Sequence, residues 1–373
     1  MKTNILFSLC CLASLATFEA NATHIVGGVL NYRSLTNNDY EIRLTLYRDC
    51  LNGAVLFDDP ASVGIFNSGN TLIKSINMSF LGSTPVTNAI NSPCLLPSTT
   101  ACYEVTTYID TVNLPPITGG YQLVYQRCCR SSSVINISAP STFGTTYTAH
   151  IPDPASASVN SNPVFKSWCS NFICVNNPFT FDHSATDQDG DSLVYSLITP
   201  HDGASATSPM PQPPNAPPYN VVPWLAPYSL SNAFGGVPLT INSSTGILTA
   251  IPNTIGAFVY GVSVKEYRNG TFLGETMMDF QVYIVTAVVG TEENAFENKD
   301  VYLYPDPAKD QLTIKPAGNM VIKKYTISNL TGQVLGADLH ANSIDISSLK
   351  PGLYFITLET GSDLKLTNKF IKE

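Results

Sequence analysis

Charge is scarce in this 373-residue chain: Asp, Glu, Lys and Arg together supply 13% of it, about half the share of an ordinary soluble domain. The shortage falls on the basic side, with 19 Lys+Arg against 28 Asp+Glu and a net charge of −9. Residues 1–296 hold 10 basic and 19 acidic side chains, whereas residues 297–373 hold 9 of each. Without a basic cluster, nucleic acid and anionic lipid are excluded as partners, because both need concentrated Lys and Arg. Sustained helical spacing is also missing, which excludes a helical bundle. Past the N-terminus no apolar run reaches the about 20 residues that a membrane helix requires. No H-E-x-x-H, G-x-S-x-G, Walker loop or dinucleotide fingerprint occurs, and the five histidines, His24, His150, His183, His201 and His340, are scattered. No C-x₂-C pair exists, so a zinc site has no sequence support. The expectation is a protein that is not an enzyme.

What is present begins with an export signal. Lys2 gives a basic start, residues 5–18 a mostly apolar core, and Ala20-Asn21-Ala22 a small-x-small cleavage site, so residues 1–22 read as a signal peptide and Thr23 as the first mature residue. Cys10 and Cys11 leave with it. The remaining Cys50, Cys94, Cys102, Cys128, Cys129, Cys169 and Cys174 read as disulfide formers in an exported chain. Short loops are available between Cys94 and Cys102 and between Cys169 and Cys174, and Cys50 is in reach of Cys128 or Cys129 from a neighbouring strand.

Alternation of apolar and polar residues, the strand signature, recurs at residues 40–48, 121–127, 193–197, 258–264 and 280–284. In the first of these Tyr40, Ile42, Leu44 and Leu46 share a face. Turn chemistry separates the strands at Leu51-Asn52-Gly53, Asn67-Ser68-Gly69, Asp189-Gly190 and Arg268-Asn269-Gly270. The fold class is therefore all-β. Tandem Ig-like β-sandwiches are expected at residues 23–158, braced by disulfides, and 159–287, followed by a linker at 288–300 and a small β-sandwich at 301–373.

Three features of the body invite function. Nine prolines between residues 200 and 227 rule out a strand there. The segment is either a binding loop, with Tyr219, Trp224 and Tyr228 as contact residues, or an extended connector across a sheet. Ile25-Val26-Gly27-Gly28 has the look of a chymotrypsin-like N-terminus, but neither a Gly-Asp-Ser-Gly-Gly nucleophile motif nor a catalytic-His segment follows. Asp58 and Asp59 read as solvated carboxylates in a turn.

The C-terminal block carries an ordered set of motifs. Tyr304-Pro305-Asp306-Pro307-Ala308 precedes a strand; a strand and a turn at Gly332 follow; Pro351-Gly352 leads into Leu353-Tyr354-Phe355; and Lys369-Phe370-Ile371-Lys372-Glu373 ends the chain. This succession closely resembles the type A C-terminal sorting domain of the type IX secretion system of Bacteroidetes, with Asp306 where that family usually has Asn. The resemblance implies export by the signal peptide, passage across the outer membrane by the type IX machinery, and processing by its sorting peptidase. Release from the cell or attachment to surface lipopolysaccharide would follow.

One chemical motif stands out in the body. In Asp187-Gln188-Asp189-Gly190-Asp191 three carboxylates at alternate positions around a glycine can converge on a hard cation. With Ser192-Leu193-Val194-Tyr195-Ser196-Leu197 following, it resembles the Asp loop of cadherin-like and dystroglycan-type Ig modules of bacterial surface proteins. That resemblance implies Ca²⁺ at Asp187, Asp189 and Asp191 with Glu266 beside them; read alone, the residues equally make a solvated Asx turn. Residues 23–28, Tyr47-Arg48-Asp49-Cys50 and residues 125–130 look like the leading region of large Bacteroidetes surface and gliding-associated proteins. The functional expectation is an exported, non-enzymatic structural or adhesion protein of the cell surface. The alternatives are a glycan- or protein-binding module and, behind it, a secreted hydrolase.

Overall fold

The computed structural model describes residues 25–50, 53, 55–86, 102–166, 172–286, 301–316, 321–329, 332–339, 343–361 and 365–373. The expected signal peptide, Cys94, Cys169 and the linker at 288–300 lie outside the described residues. Two compact units divide between Val288 and Val289.

The first unit holds β1 (Ile25–Ser34), β2 (Asp39–Asp49), β3 (Ala61–Asn67), β4 (Leu72–Met78), β5 (Thr84–Pro85), β6 (Tyr103–Asn113), β7 (Tyr121–Arg127), β8 (Thr145–Ile151) and β9 (Val164–Phe165). Then come β10 (Phe172–Cys174), β11 (Phe179–Asp182), β12 (Ala185–Thr186), β13 (Ser192–Ile198), β14 (Val237–Ile241), β15 (Ile247–Ile251), β16 (Gly256–Arg268) and β17 (Thr271–Val285). The alternating segments are all strands. In β2, Ile42, Leu44 and Leu46 are fully buried while Arg43 faces out, as the two-residue pleat requires.

Hairpins form where residues tolerate positive φ. Asn37 and Asn38 (φ 60° and 61°) turn β1 into β2, and Asn269 and Gly270 (φ 52° and 80°) turn β16 into β17, with Arg268 facing Thr271.

Residues on both sides of the expected boundary at 158/159 share one sheet, and the second core takes in Val29 of β1. A single sheet runs β13-β16-β17-β1-β2-β6-β5, with β10 also on β17. Its seam is β1 against β17, where Gly27 faces Phe280, Gly28 faces Asp279 and Val29 faces Met278. One half covers the sheet β4-β3-β7-β8 and encloses Leu30, Ile42, Leu44, Val63, Leu123 and Tyr147. The other half covers β11-β15-β14 around Leu248, Phe258, Tyr260, Val262 and Phe280. Gly28 is needed at the seam: a Cβ there would lie 2.7 Å from both Leu46 and Tyr147.

Buried ion pairs sit at and near this seam. Arg130 Nη2 donates to Asp279 Oδ2 at 2.6 Å, and the Tyr147 hydroxyl donates to the other oxygen at 2.7 Å. Asp58 is not the solvated carboxylate expected from its turn. It is buried, 3.0 Å from Arg127 Nε, and accepts the Tyr125 hydroxyl at 2.8 Å, whereas Asp59 alone stays exposed. Burial pushes the Asp58 pKa up against the opposing pull of Arg127.

The cysteine pairing differs from the expected one. Cys50 bonds Cys102, with Cα atoms 5.1 Å apart, which ties the end of β2 to the start of β6. Cys128 and Cys129 bond each other and so are not partners of Cys50, and Cys174 is also in a disulfide. The reason is register: β2 and β6 are sheet neighbours that pair Asp49 with Tyr103, which places Cys50 and Cys102 side by side.

The second unit holds β18 (Val301–Tyr304), β19 (Gln311–Pro316), β20 (Ile322–Asn329), β21 (Val334–Leu339), β22 (Ser343–Asp345), β23 (Gly352–Thr360) and β24 (Lys365–Lys372). Two sheets, β18-β19-β22 and β21-β20-β23-β24, enclose Leu312, Ile314, Ile346, Ile356, Leu358 and Phe370. The first and last motifs meet in space. Asp306 Oδ1 accepts the amide of Ile371 at 2.8 Å, the Ala308 amide donates to Ile371 O at 2.8 Å, and the Glu373 amide donates to Ala308 O at 2.9 Å. Tyr354 stacks on Phe370 with ring centroids 5.7 Å apart, and its hydroxyl donates to Lys350 O just before Pro351. Gly332, with φ 80°, makes the turn between β20 and β21.

Candidate functional site

The Asp loop joins β12 to β13. Asp187 Oδ1 accepts the amides of Asp189 at 3.0 Å and Asp191 at 2.9 Å, an Asx turn completed by Gly190 at φ 82°. Because β13 pairs with β16, with Leu193 opposite Glu266, the glutamate stands beside this turn. One carboxylate oxygen from each of Asp187, Asp191 and Glu266 lies within 4.8 Å of the others.

Glu266 is completely buried. Its Oε1 accepts Asn160 Nδ2 at 3.0 Å, while Oε2, like Asp187 Oδ2, is buried with no hydrogen-bond partner among the described residues. Gly274, opposite Glu266 on β17, makes the room, since a Cβ there would lie 2.7 Å from Glu266 Oε1. Burial first, and then the negative charges of Asp187 and Asp191, push the Glu266 pKa up to about 8. Burial likewise raises Asp187.

The fourth expected ligand goes elsewhere. Asp189 Oδ2 accepts the Ser161 amide at 2.6 Å and lies 3.8 Å from Arg268, so it holds the segment that joins β8 to β9. Arg268 grips Asp191 with two bonds of 2.7 Å each, and also reaches Asn160 Oδ1 at 2.9 Å and Val159 O at 2.8 Å. With Arg268 held by Asp191, no ion pair reaches Asp187 or Glu266 among the described residues. Two hard carboxylates with orphaned buried oxygens, beside a third, suit one divalent cation of the Ca²⁺ type.

Sequence reasoning did not find Asn160, Tyr32, Arg268 or Gly274. Asn160 Nδ2 also donates to the Tyr32 hydroxyl at 2.9 Å, so the site draws on β1, on the connector and on the β16–β17 hairpin together. The dense Asn160-Ser161-Asn162-Pro163 run was the one local signal. Asn162 Oδ1 accepts the Tyr32 amide at 2.7 Å, and its Nδ2 donates to Thr276 at 2.9 Å.

The proline-rich segment crosses the body as a connector with its aromatic residues turned inward. Pro209 O accepts the Cys128 amide at 2.9 Å, and the Asn215 amide donates to Gln126 Oε1 at 2.9 Å. Trp224 and Tyr228 are partly buried against the second core, and Trp224 Nε1 donates to Thr199 at 3.1 Å. Tyr219 lies with its ring 6.1 Å from His201, its hydroxyl donating to Asn215 O. In the second unit the motif residues divide by exposure: Tyr304 is half exposed, whereas Tyr354 and Phe370 are buried.

No curated protein matches the chain. Among solved structures, one from work on the structural basis for Dscam isoform specificity shares 12% identity, covers 94% of this chain and 73% of its own, and has a TM-score of 0.15. Another, trypsin-activated alpha-2-macroglobulin from Escherichia coli, shares 9% identity, covers 94% and 24%, and has a TM-score of 0.17. At such scores neither likeness bears on fold or function. Among the described residues no helix is long and apolar enough to cross a membrane. Residues 302–373 match the family described as the secretion system C-terminal sorting domain, so the chain ends in a type IX sorting domain and is a secreted or cell-surface protein.

Proposed function

We propose that the body, residues 25–286, is a non-enzymatic structural or adhesion module of the cell surface, braced by a calcium ion at Asp187, Asp191 and Glu266. The observation that carries this reading is how the body uses its reactive side chains. Arg127, Arg130 and Arg268 each hold a carboxylate, and Arg48 holds Glu104. His183 Nε2 shares a hydrogen bond with the Tyr260 hydroxyl in the core, and His150 Nδ1 donates to Leu273 O. Groups tied into pairs of this kind are poor general acids, bases or nucleophiles, which need a free position facing a substrate, and the unpaired Glu266 Oε2, Asp187 Oδ2 and His201 Nδ1 are buried atoms. Adhesion or load-bearing by a rigid exported sandwich fits the continuous sheet, the disulfides and the sorting tail together.

A calcium ion at this site would bind oxygen ligands only and supply rigidity rather than chemistry. At the affinity usual for extracellular modules, a tenfold excess over Kd adds about 1.4 kcal/mol. Adding EDTA to the calcium-loaded protein should lower its melting temperature by a few degrees, and Glu266→Gln should abolish that response. An unchanged melting temperature removes the calcium from the proposal. A panel of glycosidase, esterase and protease substrates tests the remainder: no turnover is expected, and turnover of any one overturns the non-enzymatic reading.

A further inference from the structure

Residues 1–296 contain six arginines, and four of them, Arg48, Arg127, Arg130 and Arg268, each have a carboxylate partner of their own. Arg33 and Arg43 differ. They share Glu41, whose Oε2 lies 2.9 Å from Arg33 Nη2 and whose Oε1 lies 3.2 Å from Arg43 Nη2. Their side chains are 50% and 46% exposed, and neither guanidinium has another partner among the described residues. One carboxylate between two guanidinium groups leaves several N–H donors unused, in a body that is otherwise acidic.

These three side chains line a cavity of about 450 Å³. The pleat explains the placement: Arg33, Glu41 and Arg43 project from the face of β1 and β2 opposite to Ile42 and Leu44, which fill the first core. Thr186, Asp187 and Gln188, on and beside β12, line the cavity with Val164 of β9, so Arg33 and Arg43 share it with two carboxylates, and Asp187 on the far wall can accept ligand hydroxyls. The volume lies in the lower part of the range of small-molecule sites, about 300–1,000 Å³. It suits one or two sugar rings. Every lining residue except Val164 bears an amide, hydroxyl or charged group, which gives a hydroxyl-rich ligand partners that an acyl chain or an apolar peptide side chain would leave unused.

We propose that this cavity binds an acidic saccharide, with the ligand carboxylate held by the unused donors of Arg33 and Arg43 and its hydroxyls by the polar wall. Guanidinium is the side chain suited to this task, since its planar fork matches a carboxylate with two parallel hydrogen bonds. Glu41 competes for the same donors and keeps the pair in place when no ligand is bound. The site stands apart from the proline-rich segment, whose Trp224 and Tyr228 pack against the second core, but it shares Asp187 with the proposed calcium site, where a bound cation would offset that carboxylate.

The test is titration calorimetry on the mature protein with a glucuronate-containing disaccharide, its carboxyl-reduced neutral analogue, an acidic hexapeptide and inorganic sulfate. Saturable binding of the acidic disaccharide is expected, at least tenfold weaker for the neutral analogue and for Arg33→Gln/Arg43→Gln. Because both arginines are half exposed, that variant should keep the circular dichroism spectrum of the parent. Glu41→Gln frees donors and should tighten binding several-fold. The proposal is overturned if the acidic disaccharide does not bind, or if the neutral analogue or the double variant binds equally well. It is overturned too if Glu41→Gln weakens binding, or if sulfate or the peptide binds as tightly as the saccharide.

Discussion

Asn160 stands between Tyr32 and Glu266, its Nδ2 donating to the tyrosine hydroxyl at 2.9 Å and to the glutamate Oε1 at 3.0 Å. One amide thus links β1, in the first half of the shared sheet, to β16 in the second. Replacing it by Ala leaves the buried Glu266 with no hydrogen-bond donor and Arg268 without one of its acceptors. Asn160→Ala should cost about 1–3 kcal/mol, as expected when a buried polar group is left without its partner. Urea denaturation of the mature protein measures this, and a change under 0.5 kcal/mol denies Asn160 that role.

His183 makes stability depend on pH. Burial pushes its pKa down to about 3, opposed only by the nearby Asp182, whereas in the unfolded chain it titrates near the ordinary value of about 6.5. Between these values the unfolded state binds the extra proton, so stability falls as pH falls, by about 1.4 kcal/mol per unit for this group. Glu266, raised to about 8, contributes the opposite slope over this range, so the His183 part is read as the difference between parent and His183→Gln: from pH 7.5 to pH 5 the parent should lose more, or gain less, stability than the variant, and equal changes would deny His183 this role.

The Cys50–Cys102 bond spans a sequence separation of 52 residues. Loop-closure entropy assigns such a crosslink about 4 kcal/mol. Cys50→Ser/Cys102→Ser should lose most of that in non-reducing denaturation. A loss below 1 kcal/mol would show that the sheet pairing of β2 with β6 holds the ends together unaided.

Asp306 ties the first motif of the sorting domain to the last strand through the Ile371 amide. Asp306→Ala removes the acceptor and should destabilise the domain by about 1 kcal/mol, with less protein reaching the surface in a protease-accessibility assay. Asp306→Asn keeps a carbonyl oxygen at that position and should behave like the parent. Deleting residues 301–373 should abolish surface delivery altogether.

The strands at residues 40–48, 121–127 and 258–264 were legible because one strand face repeats every two residues whatever lies across the sheet. The turns at Asn269-Gly270 and Gly190 were legible for a similarly local reason, a positive φ that few residues tolerate. The Asp loop and Glu266 came from an ordered motif, and the fold does bring three of the four carboxylates together. Asp189 could not be separated from its neighbours in advance, because what draws it away is the Ser161 amide, 28 residues upstream. Asp58 gave the same difficulty, since its burial depends on Arg127 and Tyr125 arriving from β7.

By itself, then, the sequence determined the all-β class, the positions of the long strands and their hairpins, and the sorting tail, since each rests on local periodicity or on closely spaced motifs. Only the tertiary structure decided that β1 pairs with β17, that Cys50 meets Cys102, and that Arg33 and Arg43 share one carboxylate over a cavity. The first two join residues far apart in the chain, and the third depends on which elements cover the outer face of the sheet; such choices are made by the register of the whole sheet and leave no periodic trace in the segments that meet.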